Sequence, residues 1–251
     1  MNSDLIIRYA LFAVLLSVVV LCAAYGQQKF QEDIVKTSGG DLKMTFIAHG
    51  TLMFTYGEKV IHIDPVSMFG TDYSTLPKAN LILVTHEHGD HLDPKAIQAI
   101  STDGTTLITN QTSAENLPNA AVMKNGDTKN VSGITIEAVP AYNVAHTRDN
   151  GEPFHPKGTG NGYVIEFGGK RVYVGGDTEN VPEMKNLKNI EVAFLPMNLP
   201  YTMTPEMVAD AVSLFHPKIL YPYHFGQTDT QQLVNLLRDQ KGTEVRIRKF
   251  Y

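Results

Sequence analysis

The chain has 251 residues, room for one sizeable domain with a hydrophobic core or at most two small ones. Hydrophobic residues at 43% against charged residues at 19% exclude disorder as the main state, and a net charge of −5 argues against a general nucleic-acid binder. The one cysteine, Cys22, lies in an apolar N-terminal stretch, so any metal held by the rest of the chain must use His, Asp, Glu or backbone, with nine histidines on offer.

Arg8 precedes an uncharged run over residues 9–24, and Ala24-Tyr25-Gly26 follows its last apolar turn. A basic start, a short apolar core and small residues at −3 and −1 describe a signal peptide over 1–26, cleaved before Gln27. The run is shorter than the roughly 20 residues a spanning helix needs, so no stable membrane span is expected after cleavage; an uncleaved anchor is the alternative. Leu21 before Cys22 disfavours lipidation. A periplasmic or secreted protein is the expectation, its net charge unchanged because Asp4 and Arg8 leave together.

Residues 27–41 read as a polar, aperiodic lead-in, and 42–251 as one domain without linker or internal repeat. Strands are expected over 43–48, 51–56, 60–63 and 80–85, the last (NLILVT) a continuous apolar run suited to burial on both faces. Asp93-Pro94 gives an N-cap and a first-turn proline, opening a helix to about Ile100. Further strands are expected over 106–109, 134–139, 162–167, 171–175 and 191–195. A helix over 204–215 is marked by apolar residues at helical spacing and by Glu206 in its first turn. A strand over 219–222, a helix over 230–240 and a strand over 244–247 close the chain. Runs of strands punctuated by helices predict a layered α/β fold, with helices on the outer faces of sheets.

The chemistry concentrates in Thr85-His86-Glu87-His88-Gly89-Asp90-His91-Leu92-Asp93, directly after the buried strand. In extended backbone His86 and His88 point to one side and can reach one ion. Gly89 lets the chain turn, and Asp90 and His91 can then face a second ion close by. Imidazole and carboxylate suit zinc, manganese or iron alike.

This segment resembles the metal-binding motif of the metallo-β-lactamase superfamily, and the resemblance runs from about residue 42 to the C-terminus. Within the superfamily it is nearest the branch of ascorbate-6-phosphate lactonase-like and N-acylphosphatidylethanolamine phospholipase D-like hydrolases. Ala48-His49-Gly50, Ile63-Asp64-Pro65, Gly175-Gly176-Asp177-Thr178 and Pro222-Tyr223-His224 follow in the expected order. The resemblance implies an αββα sandwich of two mixed β-sheets flanked by helices. It implies two divalent ions, zinc before manganese or iron, with Asp177 bridging them and His224 completing the second ion's ligands beside Asp90 and His91.

The third histidine of the first ion departs from the familiar pattern, because Pro140-Ala141-Tyr142 is followed by Asn143. His155 is the first choice, His146 the second and Asn143 a weak oxygen donor; His146 sits in a turn-rich stretch suited to a solvated loop or a lid. His49 reads as a group touching the substrate or the ligands, and Tyr201 as a pocket-lining residue. His62, alternating with Ile61 and Ile63, reads as half-exposed, and His216 before Pro217 as a helix cap.

The implied reaction is hydrolysis by a metal-bound hydroxide, with Asp90 accepting or relaying the proton. The bond would be an ester, lactone or phosphodiester of a small or lipid-like substrate; no nucleic acid is expected as partner. The contrasting class is an exported metal- or ligand-binding module with this fold and no turnover. Protein from the native host should begin at Gln27 by intact mass or N-terminal sequencing. Retention of Met1 in a membrane fraction would establish the anchor instead.

Overall fold

The computed structural model describes residues 30–250; the expected signal segment and its cleavage point lie outside them. Among these residues fourteen strands form two seven-stranded sheets, and within each sheet the strands pair in sequence order. The first sheet comprises β1 (Gln31–Thr37), β2 (Gly40–Ala48), β3 (Thr51–Tyr56), β4 (Lys59–Ile63), β5 (Leu81–Leu83), β6 (Thr106–Thr109) and β7 (Ala121–Val122). The second comprises β8 (Thr128–Val131), β9 (Ile134–Ala141), β10 (Gly160–Phe167), β11 (Lys170–Val174), β12 (Ile190–Pro196), β13 (Ile219–Tyr223) and β14 (Glu244–Val245).

Both sheets follow one plan. β1 to β4 pair antiparallel and β4 to β7 parallel. β8 to β11 pair antiparallel and β11 to β14 parallel. The parallel part needs crossovers, and these carry the helices: α1 (Pro94–Ile100) and α2 (Gln111–Ala114) in the first half, α3 (Pro205–Phe215) and α4 (Thr230–Leu236) in the second. The duplication is one of topology and left no repeat in the sequence.

The layers follow from burial. Phe46, Phe54, Phe167, Phe194, Tyr221 and Tyr223 fill the space between the sheets. Ile82, Val84, Ile97 and Ile100 pack α1 on the outer face of the first sheet, and Val208, Val212 and Phe215 pack α3 on that of the second. This is the expected αββα sandwich. Asp93 caps α1 by accepting the N–H groups of Lys95 and Ala96, and Thr204 caps α3 through Met207 N–H. His216 takes the left-handed conformation (φ 48°) that ends α3, returning its N–H to Val212 O.

Several expectations need correction. The lead-in over 27–41 is not aperiodic: it carries β1 and the start of β2. As an edge strand β1 buries only Val35, so backbone pairing with β2 holds it without an apolar pattern. β8, an edge strand of the second sheet, likewise carries no apolar pattern that marks it in the sequence. The apolar run over 80–85 is strand only at Leu81–Leu83, the last helix stops at Leu236 rather than 240, and the closing strand ends at Val245.

His62 is fully buried rather than half-exposed, because the segment through Tyr73 and Pro77 covers it, with Nε2 lying 3.1 Å from Pro77 O. Burial pushes its imidazole down from 6.5 to about 4, the Pro77 carbonyl offsetting part of the effect. The unfolded chain therefore binds a proton that the folded chain refuses between those values, and stability falls as pH drops from 6.5 to 4. The full contribution is about 3 kcal/mol. Urea unfolding at both ends of that window should show a smaller pH dependence for His62→Gln than for the natural protein.

Candidate metal centre

The C-terminal ends of β2, β4, β5, β9, β11 and β13 lie along one edge of the sandwich, the usual place for ligands in sheets with parallel strands. The loops leaving them carry His49, Asp64, His86–His91, Asn143, Asp177 and His224. His49, Asp64 and His224 each sit at φ 46°, a left-handed conformation that costs a non-glycine residue about 1 kcal/mol or more and breaks the strand's alternation. Gly176 (φ 63°) supplies the same turn before Asp177. A Cβ there would lie 2.9 Å from Asn161 O and 3.0 Å from Thr85 Cβ, so only glycine lets this turn close on the His86 loop.

Two sets of donor atoms converge in the cleft. In the first, His88 Nδ1 lies 3.2 Å from His86 Nε2 and 3.2 Å from His155 Nε2. Ring nitrogens bound tetrahedrally to one zinc ion stand about 3.4 Å apart, so the spacing fits a shared ion. In the second, Asp90 Oδ2 lies 3.8 Å from His91 Nε2 and 3.4 Å from His224 Nε2. Asp177 stands between them. Its Oδ1 is 3.3 Å from His91 Nε2 and 3.4 Å from His224 Nε2, and its Oδ2 is 3.3 Å from His155 Nε2 and 3.9 Å from His86 Nε2. One oxygen faces each set.

Neighbouring residues fix which nitrogen faces inward. Asp64 Oδ2 accepts from His91 Nδ1 at 2.8 Å, and the same carboxylate accepts Thr85 N–H and Oγ1–H at 2.7 Å each. Thr85 Oγ1 in turn takes the Nδ1 proton of His86 at 3.0 Å. Asn143 donates its amide protons to Glu179 and Tyr201 O, which turns its oxygen toward His155 Nδ1 at 2.7 Å. His86, His91 and His155 thus turn their Nε2 atoms toward the cleft.

His91 Nε2 and Asp177 Oδ1 are buried and form no well-made hydrogen bond although they face each other. Buried polar atoms left this way want a partner, and a cation between the donor sets provides one. Burial alone would depress His91, but the Asp177 and Asp64 carboxylates outweigh it and raise the ring well above the ordinary range, so a bound ion would displace a proton there. Burial lowers His86, His88 and His49, keeping those rings neutral and able to bind metal. Burial would raise Asp177 and Asp90. Charge on His224 and His91 holds Asp177 low, and hydrogen bonds to His224 and His49 hold Asp90 low. The donor set of imidazoles and carboxylates therefore fits a divalent metal.

The other expected residues fall in distinct places. His49 Nε2 is 3.2 Å from Asp90 Oδ2 and its ring packs on His224 at 3.7 Å, so it touches the second set directly. Asn143 is no oxygen donor to the cleft, since His155 uses its Oδ1. His146 turns away from the donor sets to Glu179, 2.6 Å from Nδ1. Tyr201 lines the cleft mouth beside Phe154. Three residues went unassigned in the sequence: Asp64, Thr85 and Glu179. Asp64 had a signal, its place after a strand in Ile63-Asp64-Pro65; Glu179 had only its nearness to Asp177. The cleft has a volume of about 780 Å³, whereas a separate cavity of about 300 Å³ on the second sheet, near Tyr173 and Leu187, contains none of these donors.

Residues 43–224 match the Beta-lactamase superfamily domain. A UPF0173 metal-dependent hydrolase from Methanopyrus kandleri is 31% identical over 196 residues, covering 74% of this chain and 84% of its own length. A crystal structure from Parabacteroides distasonis, provisionally named a metal-dependent hydrolase, shares 52% identity over 89% of this chain and 100% of its own, with a TM-score of 0.84. A metallo hydrolase from Ignicoccus hospitalis shares the fold at 22% identity, covering 83% of this chain and 95% of its own, with a TM-score of 0.68. The chain belongs to the beta-lactamase superfamily and groups within it with the UPF0173 metal-dependent hydrolases.

Asn143→Ala should lower metal affinity about 10-fold by freeing the His155 ring, and His155→Ala should lower it further. His146→Ala should bind metal as the natural protein does. Competition titration with a chromogenic chelator ranks the three, and a larger loss from His146→Ala than from His155→Ala would reverse the assignment.

Proposed function

We propose that this protein is a dinuclear metal-dependent hydrolase of an ester, lactone or phosphodiester bond in a small or lipid-like substrate. The observation carrying this reading is the Asp177 carboxylate, with one oxygen directed at each of two converging donor sets. His86, His88 and His155 would hold one ion and Asp90, His91 and His224 the other, zinc being the metal the imidazole-rich set suits best. Ions so held supply Lewis acidity, activating water at ordinary pH and polarising the bond under attack.

The chain's own groups do the rest. Asp64, Thr85 and Asn143 keep the imidazoles aimed, so no reorganisation accompanies the reaction. Asp90, one-third exposed at the cleft, and His49 form the hydrogen-bonded pair through which a proton passes between cleft and solvent. Met68, Phe69, Phe154 and Tyr201 give the mouth an apolar wall, which supports a substrate with an apolar portion. The apolar segment over 9–24 supports an exported enzyme.

Metal analysis should give two ions per chain, and chelation should abolish hydrolysis of 4-nitrophenyl esters, simple lactones or bis(4-nitrophenyl) phosphate, with recovery on adding zinc. Asp177→Ala should lose both ions and lower kcat by at least about 100-fold, the scale of removing one electrostatic stabiliser from an active site. Two bound ions with no turnover across the panel would favour a binding module instead.

A further inference from the structure

The segment between β9 and β10 stands over the cleft as a pinned hairpin. At its base the buried Glu179 carboxylate accepts the N–H groups of Val144, Ala145 and His146 at 2.6, 2.6 and 2.8 Å. Asn143 N–H bonds to His155 O at 2.9 Å, which ties the two ends of the segment together. Above that clasp Thr147 pairs with Pro153, Arg148 N–H donates to Glu152 O at 2.7 Å, and Gly151 turns the chain.

This construction places Arg148 at the mouth. Its guanidinium lies over the Phe154 ring, 5.1 Å from the centroid, and Nη2 donates to Phe154 O at 3.3 Å. Phe154 is itself propped edge-on by Tyr201, with ring centroids 5.1 Å apart. Among the described residues Arg148 is the only lysine or arginine lining the cleft, and no carboxylate pairs with it. Lys157, the next basic residue along the chain, is occupied at 2.7 Å by Glu183. A guanidinium held over a ring with one N–H on a carbonyl keeps further N–H donors for a ligand, and the guanidinium fork matches the two oxygens of a carboxylate or phosphate.

We propose that Arg148 recognises an oxyanion on the substrate, which makes that substrate an amphipathic anion. The scissile bond lies at the donor sets, the apolar portion against Phe69, Phe154 and Tyr201, and the carboxylate or phosphate on Arg148. The proposal rests on the hydrolase reading for its account of the scissile bond, but the anion site is measurable without turnover.

The test uses metal-loaded protein and two readouts. In calorimetry the natural protein should bind 3-phenylpropionate and 2-phenylethyl phosphate about 10-fold or more tighter than neutral 3-phenylpropanamide, the scale of a charge-assisted hydrogen bond. Anions can also bind metal, so the deciding quantity is the change in that preference. Arg148→Gln should remove most of it and Arg148→Lys should keep part, since lysine retains the charge without the fork. In hydrolysis the kcat/KM ratio of mono-(4-nitrophenyl) succinate to 4-nitrophenyl butyrate should fall about 10-fold in Arg148→Gln, chiefly through KM. A preference equal in the natural protein and Arg148→Gln overturns the proposal, as does a natural protein that does not favour the anions. If the binding preference is lost in Arg148→Gln while no ester is turned over, the anion site stands and the hydrolase reading fails. Stronger loss for the phosphate identifies a phosphoryl group as the natural anion, and stronger loss for the propionate a carboxylate.

Discussion

One buried carboxylate sets the terms for the whole cleft. Asp177 is only 4% exposed, yet it remains ionised because imidazoles surround both of its oxygens. An unpaired charge in such a place would cost several kcal/mol. Every other feature of the cleft can be read as compensation: His91 kept positive by two carboxylates, His155 held by Asn143, and Asp90 bracketed by His49 and His224. These polar groups satisfy one another only partly. His91 Nε2 and Asp177 Oδ1 face each other buried without a hydrogen bond, which leaves the cluster matched to a cation rather than complete in itself.

The sandwich makes that cluster possible by repeating one topology. Each half contributes strands whose C-terminal ends reach the same edge, so short loops from two sheets meet there. The first half supplies His49, Asp64, His86, His88, Asp90 and His91; the second supplies Asn143, His155, Asp177 and His224. A side chain at the end of a strand would normally alternate with its neighbours. The left-handed residues His49, Asp64 and His224 break that alternation where a donor or its support must turn into the cleft. The aromatic core between the sheets, from Phe46 to Tyr223, holds the two loop sets at a fixed separation.

Glu179 plays a comparable part for the cleft's outer wall. A hairpin of polar, turn-forming residues would ordinarily be a mobile surface loop. Three backbone N–H groups and the Asn143 amide on one buried carboxylate turn it into a fixed wall. The same contact turns the Asn143 oxygen toward His155, so wall and ligand geometry depend on one side chain.

The sequence by itself determined what is local. Thr85–Asp93 carries four cleft donors within six consecutive positions, and their placement after an apolar strand needs no long-range information. The helix at Asp93-Pro94 was legible because capping chemistry is local. The edge strands β1 and β8 were not, since a strand held by backbone pairing on one side needs no apolar alternation. The choice between His155 and His146 was open for a different reason. Both lie in one loop, and Glu179, 33 residues beyond His146, captures that ring while Asn143 turns His155 inward. Only the tertiary structure could decide it, because a loop's threading follows the distant buried charge that its backbone must satisfy.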